Sequence, residues 1–217
     1  MKDSLRTLVF AAVLAVVCAG LLTAASYVLR PLQDANAKAE KWRNIFGVLD
    51  VAYDPAASAG ELLKLVRSPD NPGGKVAERE AGGMNIFQYD HPEEGLLRAV
   101  EFSGPGLWGP VEGLLCLKAD LKTVFRISFY KHEETPGLGG EISSEAFGKQ
   151  FVGRSIDVPG APPGIRVVRT RTGALNEVDA ISGATLTCDK VAAMLDTVSK
   201  QVLAHREEVL RESGDGR

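Results

Sequence analysis

From Leu8 to Leu29 the chain is almost continuously apolar, interrupted only by Gly20 and the mild polars Cys18, Thr23, Ser26 and Tyr27. At about 1.5 Å per residue, a helix of that length crosses a bilayer core. The run therefore reads as one transmembrane helix, and any globular domain must be built from the residues after it. A cleaved signal peptide is the competing reading, because Lys2 and Arg6 precede the run and Thr23-Ala24-Ala25 offers small residues for cleavage. The run is longer than an ordinary signal core, which favours the anchor. Arg30, Lys38, Lys41 and Arg43 follow the span and outnumber the basic residues before it. Large domains translocate largely regardless of flanking charge, so this count does not fix the orientation.

Beyond the span, a chain of 217 residues leaves one domain of ordinary size that can bury a core. The net charge of −3 and the lack of a basic stripe with interleaved aromatics argue against nucleic acid as a partner. Cys18, Cys116 and Cys188 form no disulfide framework, the first lying in the span. No CxxC or His-x-x-x-His spacing supports a metal, and His91, His132 and His205 are scattered. Cys188 precedes Val191 and Leu195 at helical spacing, which suits a buried structural thiol.

Residues Leu32 to Leu49 are mixed in charge and compatible with a helix leading away from the membrane, and a second helix is expected near Ser58 to Arg67. Pro69 to Gly74 marks a loop. Sheet signals lie between Asn85 and Lys131. Thr123 to Lys131 alternates, with Phe125, Ile127 and Phe129 on one face and Arg126 and Ser128 on the other. Val111 to Leu117 is apolar on both faces, as in an interior strand, and should pair with it as an antiparallel hairpin. Leu97 to Phe102 and Ile165 to Thr170 are further strands. From Ala184 to Leu210 an amphipathic pattern carries Val191, Met194, Leu195, Val198, Val202 and Val209 on one face.

Asp179-Ala-Ile-Ser-Gly-Ala-Thr185 stands at the start of that last pattern. Ser182-Gly183 is turn chemistry, so Thr185 falls in the first turn of the helix. Free N–H groups and the positive end of the helix dipole suit a phosphate dianion there. Upstream, Glu134-Thr-Pro-Gly-Leu-Gly-Gly140 follows a strand, and its bare backbone admits the close approach of a flat ring. Taken alone, those residues fit an ordinary glycine-rich hairpin loop better. No Gly-Lys-Ser/Thr follows it, so it is not a P-loop, and no Gly-x-Gly-x-x-Gly fingerprint follows a strand. In Gly106-Leu-Trp-Gly-Pro110, Trp108 can stack on a ligand or plug the edge of the core.

The Asp-x-x-Ser-Gly-Ala-Thr stretch resembles the signature of FMN-binding domains in which the flavin phosphate is esterified to the last Thr. Together with Gly106 to Pro110 and Glu134 to Gly140, in the same order, the chain resembles the C subunit of the sodium-translocating NADH:quinone reductases. The resemblance implies covalent FMN on Thr185, with Ser182, Gly183 and Ala184 around it. It also implies a cover over or beside the ring from Thr135, Gly137, Leu138 and Gly139, with Leu138 as the apolar contact. Asp179 would serve recognition by a separate flavin transferase that moves FMN from FAD with Mg²⁺ as helper. Glu134 is either a helper of the flavin or a solvated loop charge, and Thr187, two residues on, points to another side of the helix.

The expected class is α+β: a small antiparallel sheet with flanking helices, plus one N-terminal transmembrane helix. The expected divisions are a short cytoplasmic tail 1–7, the span 8–29, a helical and loop lead-in 30–84, the FMN-binding core 85–211 and a polar tail 212–217. Such a chain would relay electrons within a membrane complex, with its flavin domain on the periplasmic side of a bacterial inner membrane. Its partners would be the other membrane subunits and, during maturation, the flavin transferase. It would need no catalytic acid, base or nucleophile of its own. The G subunit of the ion-translocating ferredoxin:NAD reductase shares the flavin domain and is the related alternative. An anchored binding domain without redox chemistry is the alternative of another class.

Overall fold

The computed structural model describes residues 2–68 and 71–211; the expected tail 212–217 and the first two residues of the expected loop from Pro69 lie outside the described residues. It divides into two units, one ending at Glu40 and one beginning at Lys41. Helix α1 (Lys2–Leu49) continues through Pro31, so the apolar run and the expected Leu32 to Leu49 helix are one element. Among the described residues it is the one helix long and apolar enough to cross a membrane. In the first unit its large apolar side chains, including Leu8, Phe10, Leu21 and Leu22, are exposed.

The second unit is a sheet closed by helices on both faces. Its strands are β1 (Val66–Arg67), β2 (Val76–Ala81), β3 (Met84–His91), β4 (Gly95–Pro105), β5 (Pro110–Leu117) and β6 (Val124–Lys131), hydrogen-bonded in that order. All neighbours from β2 to β6 are antiparallel, and β1 pairs parallel with β2 at the edge. The sheet thus begins earlier than Asn85. The expected helix from Ser58 to Arg67 is only α2 (Ala59–Leu63), with β1 taking its last residues. Ser58 and Glu61 form a reciprocal capping box that starts α2. The β2–β3 reversal places Gly82 and Gly83 at φ of 57° and 72°, the left-handed pair that a two-residue hairpin turn demands.

The expected hairpin of β5 and β6 forms, but its alternation is broken. Cys116 pairs with Arg126 while Leu117 pairs with Val124, so one extra residue of β6 is accommodated in a bulge. Val124 consequently joins Ile127 and Phe129 in the core, while Phe125 is only half-buried, beside His91 and under the Arg126 guanidinium. The expectation of Phe125 on the core face is corrected by that bulge.

On one face of the sheet, Ile86, Val100, Phe102, Leu115 and Phe129 pack with α4 (Thr185–Ala204) and with α3 (Glu145–Lys149). Phe102, Phe129, Phe147 and Phe151 meet in edge-on and tilted ring pairs. Burial of each such ring is worth about 1.5–3 kcal/mol. The other face is covered by the last turns of α1, where Trp42 meets Phe87 edge-on at 5.6 Å and Ile45, Phe46 and Leu49 are buried. Two short parallel strands, β7 (Arg166–Val168) and β8 (Glu177–Asp179), form a separate sheet whose end leads into α4.

The long C-terminal amphipathic pattern breaks at His205 into α4 and α5 (Arg206–Leu210). The Arg79 guanidinium donates to the carbonyls of Glu208 and Val209, and Arg98 donates to that of Leu210. These contacts satisfy the end of α5 and hold Val209 in the core.

Candidate functional site

β8 ends at Asp179, and a short turn with Gly183 at φ 78° delivers Thr185 as the first residue of α4. Ala184 occupies the N-cap, and no side chain caps this helix. The N–H groups of its first turn therefore lack the hydroxyl or carboxylate partner that helix starts normally recruit. Cys188, one turn in, is buried, and its Sγ accepts from the Ile181 N–H at 3.3 Å, as a structural thiol would.

Opposite lies the segment after β6. Leu138 and Gly140 both donate to the Thr135 carbonyl, at 3.1 and 2.9 Å, around Gly137 at φ 74°. This folds Thr-Pro-Gly-Leu-Gly into a compact turn that opens a 3-10 segment, Gly139–Ser143. A third wall comes from the β4–β5 connection, where the Gly106 N–H bonds the Gly109 carbonyl at 2.8 Å. The three segments enclose a cleft of about 310 Å³ lined by Leu107, Trp108, Glu134, Leu138, Thr185 and Thr187, together with Thr135, Gly139, Gly183, Ala184 and Leu186.

Of the residues singled out from the sequence, Trp108, Glu134, Thr135, Leu138, Gly139, Gly183, Ala184 and Thr185 are brought together here. Trp108 is 67 % exposed, which removes the reading of a plug in the core edge. Gly137 closes the turn outside the cleft lining, and Ser182 is exposed on the approach to the helix. Asp179 is also outside the lining and forms an ion pair with Arg171 at 3.1 Å. Its backbone N–H donates to the Gln150 side chain at 2.8 Å, which fixes the end of β8.

Glu134 is not a solvated loop charge. It is 4 % exposed and its carboxylate is fully engaged. Oε1 accepts from the backbone N–H of Leu107 at 2.6 Å and of Trp108 at 3.3 Å, and Oε2 accepts from the Thr187 hydroxyl at 2.6 Å. Burial by itself would raise its pKa, but the Thr187 hydroxyl and the Leu107 and Trp108 amides outweigh burial and hold the carboxyl below its usual range. Thr187 is buried and its hydroxyl is consumed by this bond, whereas Thr185 is exposed.

Sequence reasoning missed Leu107 and Leu186 as lining residues and the tie between Glu134 and Thr187. Leu107 lies within the Gly106–Pro110 motif, and Thr187 carries a signal in its helical phase relative to Thr185. The tie itself spans 53 residues, beyond what local pattern can register.

A larger open groove of about 1160 Å³ adjoins this cleft and shares Leu107 and Trp108. Its polar end is a closed network. The Tyr130 hydroxyl donates to Glu101 at 2.7 Å, Lys41 pairs with Glu101 at 2.6 Å, and Lys131 pairs with Glu112 at 2.5 Å. Burial and the two carboxylates push the Tyr130 hydroxyl far above its usual range, so it stays protonated. These partners satisfy one another, whereas the smaller cleft presents an open helix start. The latter suits an anionic group carrying a flat aromatic body: donors and a hydroxyl sit at one end, with Leu107, Trp108, Leu138 and Leu186 around it.

Comparison with known proteins agrees with that chemistry. Residues 106–200 match the FMN-binding domain family. The chain is similar to the C subunit of the Na(+)-translocating NADH-quinone reductase of Vibrio anguillarum, 27 % identical over 90 % of each chain. It is 31 % identical to the protein of that name from Vibrio campbellii, over 67 % of this chain and 54 % of that protein. The crystal structure of the C subunit from Parabacteroides distasonis superposes with a TM-score of 0.68 at 22 % identity, covering 86 % of this chain and 98 % of the other. That likeness establishes the fold: a sheet with flanking helices, the α+β class expected from sequence, here with one parallel pair at the sheet edge.

Proposed function

We propose, from the premise that this chain is a homologue of the C subunit of the Na(+)-translocating NADH-quinone reductases and carries an FMN-binding domain, that it relays electrons through FMN esterified by its phosphate to Thr185. The observation that carries this reading is the uncapped start of α4, with the exposed Thr185 at its first position. An exposed hydroxyl there puts a phosphoester beside unpaired N–H groups and the positive end of the dipole, so the phosphate needs no basic pocket.

The residues present fit the group. A Cβ at Gly183 would stand 3.1 Å from Leu138 Cδ2, so glycine keeps the approach from the turn to that wall open. Thr185 would hold the phosphate, and Leu107, Trp108, Leu138 and Leu186 would shield the ring from water. When bound, FMN supplies reversible electron transfer, and the chain's share is to position it and tune its potential by burial and hydrogen bonding. Asp179 lies outside the cleft, which is compatible with recognition by a maturing flavin transferase rather than contact with the ring.

The apolar part of α1 would anchor the chain as a single span at 8–29, preceded by the short cytoplasmic tail 1–7. The flavin-bearing domain would be the unit that begins at Lys41, so the expected lead-in 30–84 gives up β1, β2 and the last turns of α1 to it, and the domain would lie on the periplasmic side. The partners would be the other subunits of the quinone-reductase complex. The domain match favours a flavin carrier over an anchored binding domain without redox chemistry.

The test is co-expression with a flavin transferase followed by denaturing electrophoresis. Flavin fluorescence that travels with the denatured wild-type chain and disappears in Thr185→Ala is the expected result. A colourless wild-type band would overturn the assignment.

A further inference from the structure

The Glu134 carboxylate joins three segments that lie far apart in sequence. One oxygen takes the amides of Leu107 and Trp108 and the other takes the hydroxyl of Thr187 on α4. The contacts are too close for side chains to intervene. A Cβ at Gly106 would lie 2.5 Å from Glu134 Oε1, and one at Gly139 would lie 2.5 Å from the Thr187 hydroxyl and 2.6 Å from Glu134 Oε2. Glycine at 139 is thus explained by the Glu134–Thr187 tie, and at 106 the Glu134 contact adds to that of the Gly109 carbonyl, 2.6 Å away. The two amides can only donate and the Thr187 hydroxyl is placed to donate as well, which suits an ionised acceptor. The Gly106–Gly109 turn has one internal backbone bond, and beyond it the Glu134 contacts are what fix Leu107 and Trp108, both exposed, at the mouth of the cleft.

We propose that Glu134 is a positioning residue for the flavin. It pins the Leu107–Trp108 turn and the first turn of α4 as facing walls of one cleft, and it keeps a fixed negative charge in the wall between them. This rests on the reading that FMN occupies that cleft. A negative charge beside the flavin disfavours the added electron and lowers the midpoint potential. Two substitutions separate the two contributions. In Glu134→Gln the amide oxygen can still accept from Leu107 and Trp108 while its NH2 donates to the Thr187 oxygen, so the walls stay joined and only the charge is lost. In Glu134→Ala the walls are released.

The experiment compares wild type, Glu134→Gln and Glu134→Ala by two measurements. The first is amide hydrogen exchange at Leu107 and Trp108 in the flavin-free protein. The second is the midpoint potential after treatment with FAD and flavin transferase, with the mass of the adduct checked first. Exchange at both amides should be at least tenfold faster in Glu134→Ala and close to wild type in Glu134→Gln. The potential of Glu134→Gln should move positive with the adduct mass unchanged. Equal exchange in wild type and Glu134→Ala would overturn the positioning role, and an unmoved potential in Glu134→Gln would overturn the role of the charge. A wild-type protein that takes up no flavin would sink the flavin assignment and with it the potential-tuning role, while the joining of the walls would still be decided by the exchange rates.

Discussion

Helices α3 and α4 start in opposite ways within one domain. Ser144 opens α3, and its hydroxyl accepts the Phe147 N–H at 3.2 Å. Ala184 opens α4 and offers nothing. The shorter helix has its terminal donors met by the protein, while the longer one, which buries Val191, Leu195, Val198 and Val202 against the sheet, leaves them open. The difference teaches where spare hydrogen-bonding capacity can be tolerated. A helix of 20 residues held by an extensive apolar face forgoes a cap worth about 0.5–2 kcal/mol, while the five-residue α3 carries one and the equally short α5 is held instead by Arg79 and Arg98 at its far end. The far end of α1 makes the same point in reverse. Its carbonyls are met from outside the helix, by Arg126 donating to Gly47, and Arg126 also pairs with Asp50 at 3.1 Å.

The comparison breaks most visibly if α4 is given the cap it lacks. Ala184→Asp would place a carboxylate where the phosphate is expected. Flavin incorporation should fall at least tenfold, about 1.4 kcal/mol in binding terms, read by flavin absorbance per chain. Undiminished loading would show that the open helix start is not the phosphate site. Next in size, Thr187→Val removes a charge-assisted hydrogen bond to a buried carboxylate, and a loss of about 1.5–3 kcal/mol is expected in urea unfolding. Ser144→Ala should cost about 1 kcal/mol by the same measurement and leave flavin loading intact. If that variant lost flavin instead, the contrast between the two helices would fail. Arg126→Ala, at a largely solvated pair, should cost about 0.2–1 kcal/mol.

Acid should sharpen the same contrast. The folded Glu134 pKa lies below its ordinary value, so the stability it contributes is fully present above the ordinary carboxylate pKa, about 4.3, and is lost as pH falls through the folded value. Glu101 behaves likewise. Burial by itself raises its pKa, but Lys41, Asn85 and Tyr130 together bring it below the usual range. Thermal melts of wild type and Glu134→Gln should therefore converge as the pH is lowered through that window. A gap independent of pH would contradict an ionised Glu134 in the folded protein.

Much of this was legible in the sequence because it is written in local periodicity and turn chemistry. The apolar run, the β5–β6 hairpin and the amphipathic α4 all announce themselves within windows of about 8 to 20 residues. Thr185 was legible through the turn residues before it and the motif around it. Strand β2 was hidden because Glu78, Arg79 and Glu80 mask its pattern, although Val76, Ala77 and Ala81 are buried. Phe125 was misplaced because a bulge shifts side chains to the other face without leaving a mark in the alternation. The sequence favours a solvated loop charge for Glu134, wrongly, because its partners Leu107 and Thr187 are 27 and 53 residues away. Such a role is fixed by packing, and only the glycines at 106 and 139 hinted at it.

Thr185, alone among the hydroxyls near the open start of α4, is the proposed carrier of the flavin. Intact mass with peptide mapping of the chain co-expressed with a flavin transferase tests it most directly, for wild type, Thr185→Val and Thr187→Val. An FMN phosphoester is expected on the peptide containing Thr185 in wild type and Thr187→Val, and none in Thr185→Val. An unmodified wild-type chain, or an adduct that persists in Thr185→Val, would contradict it.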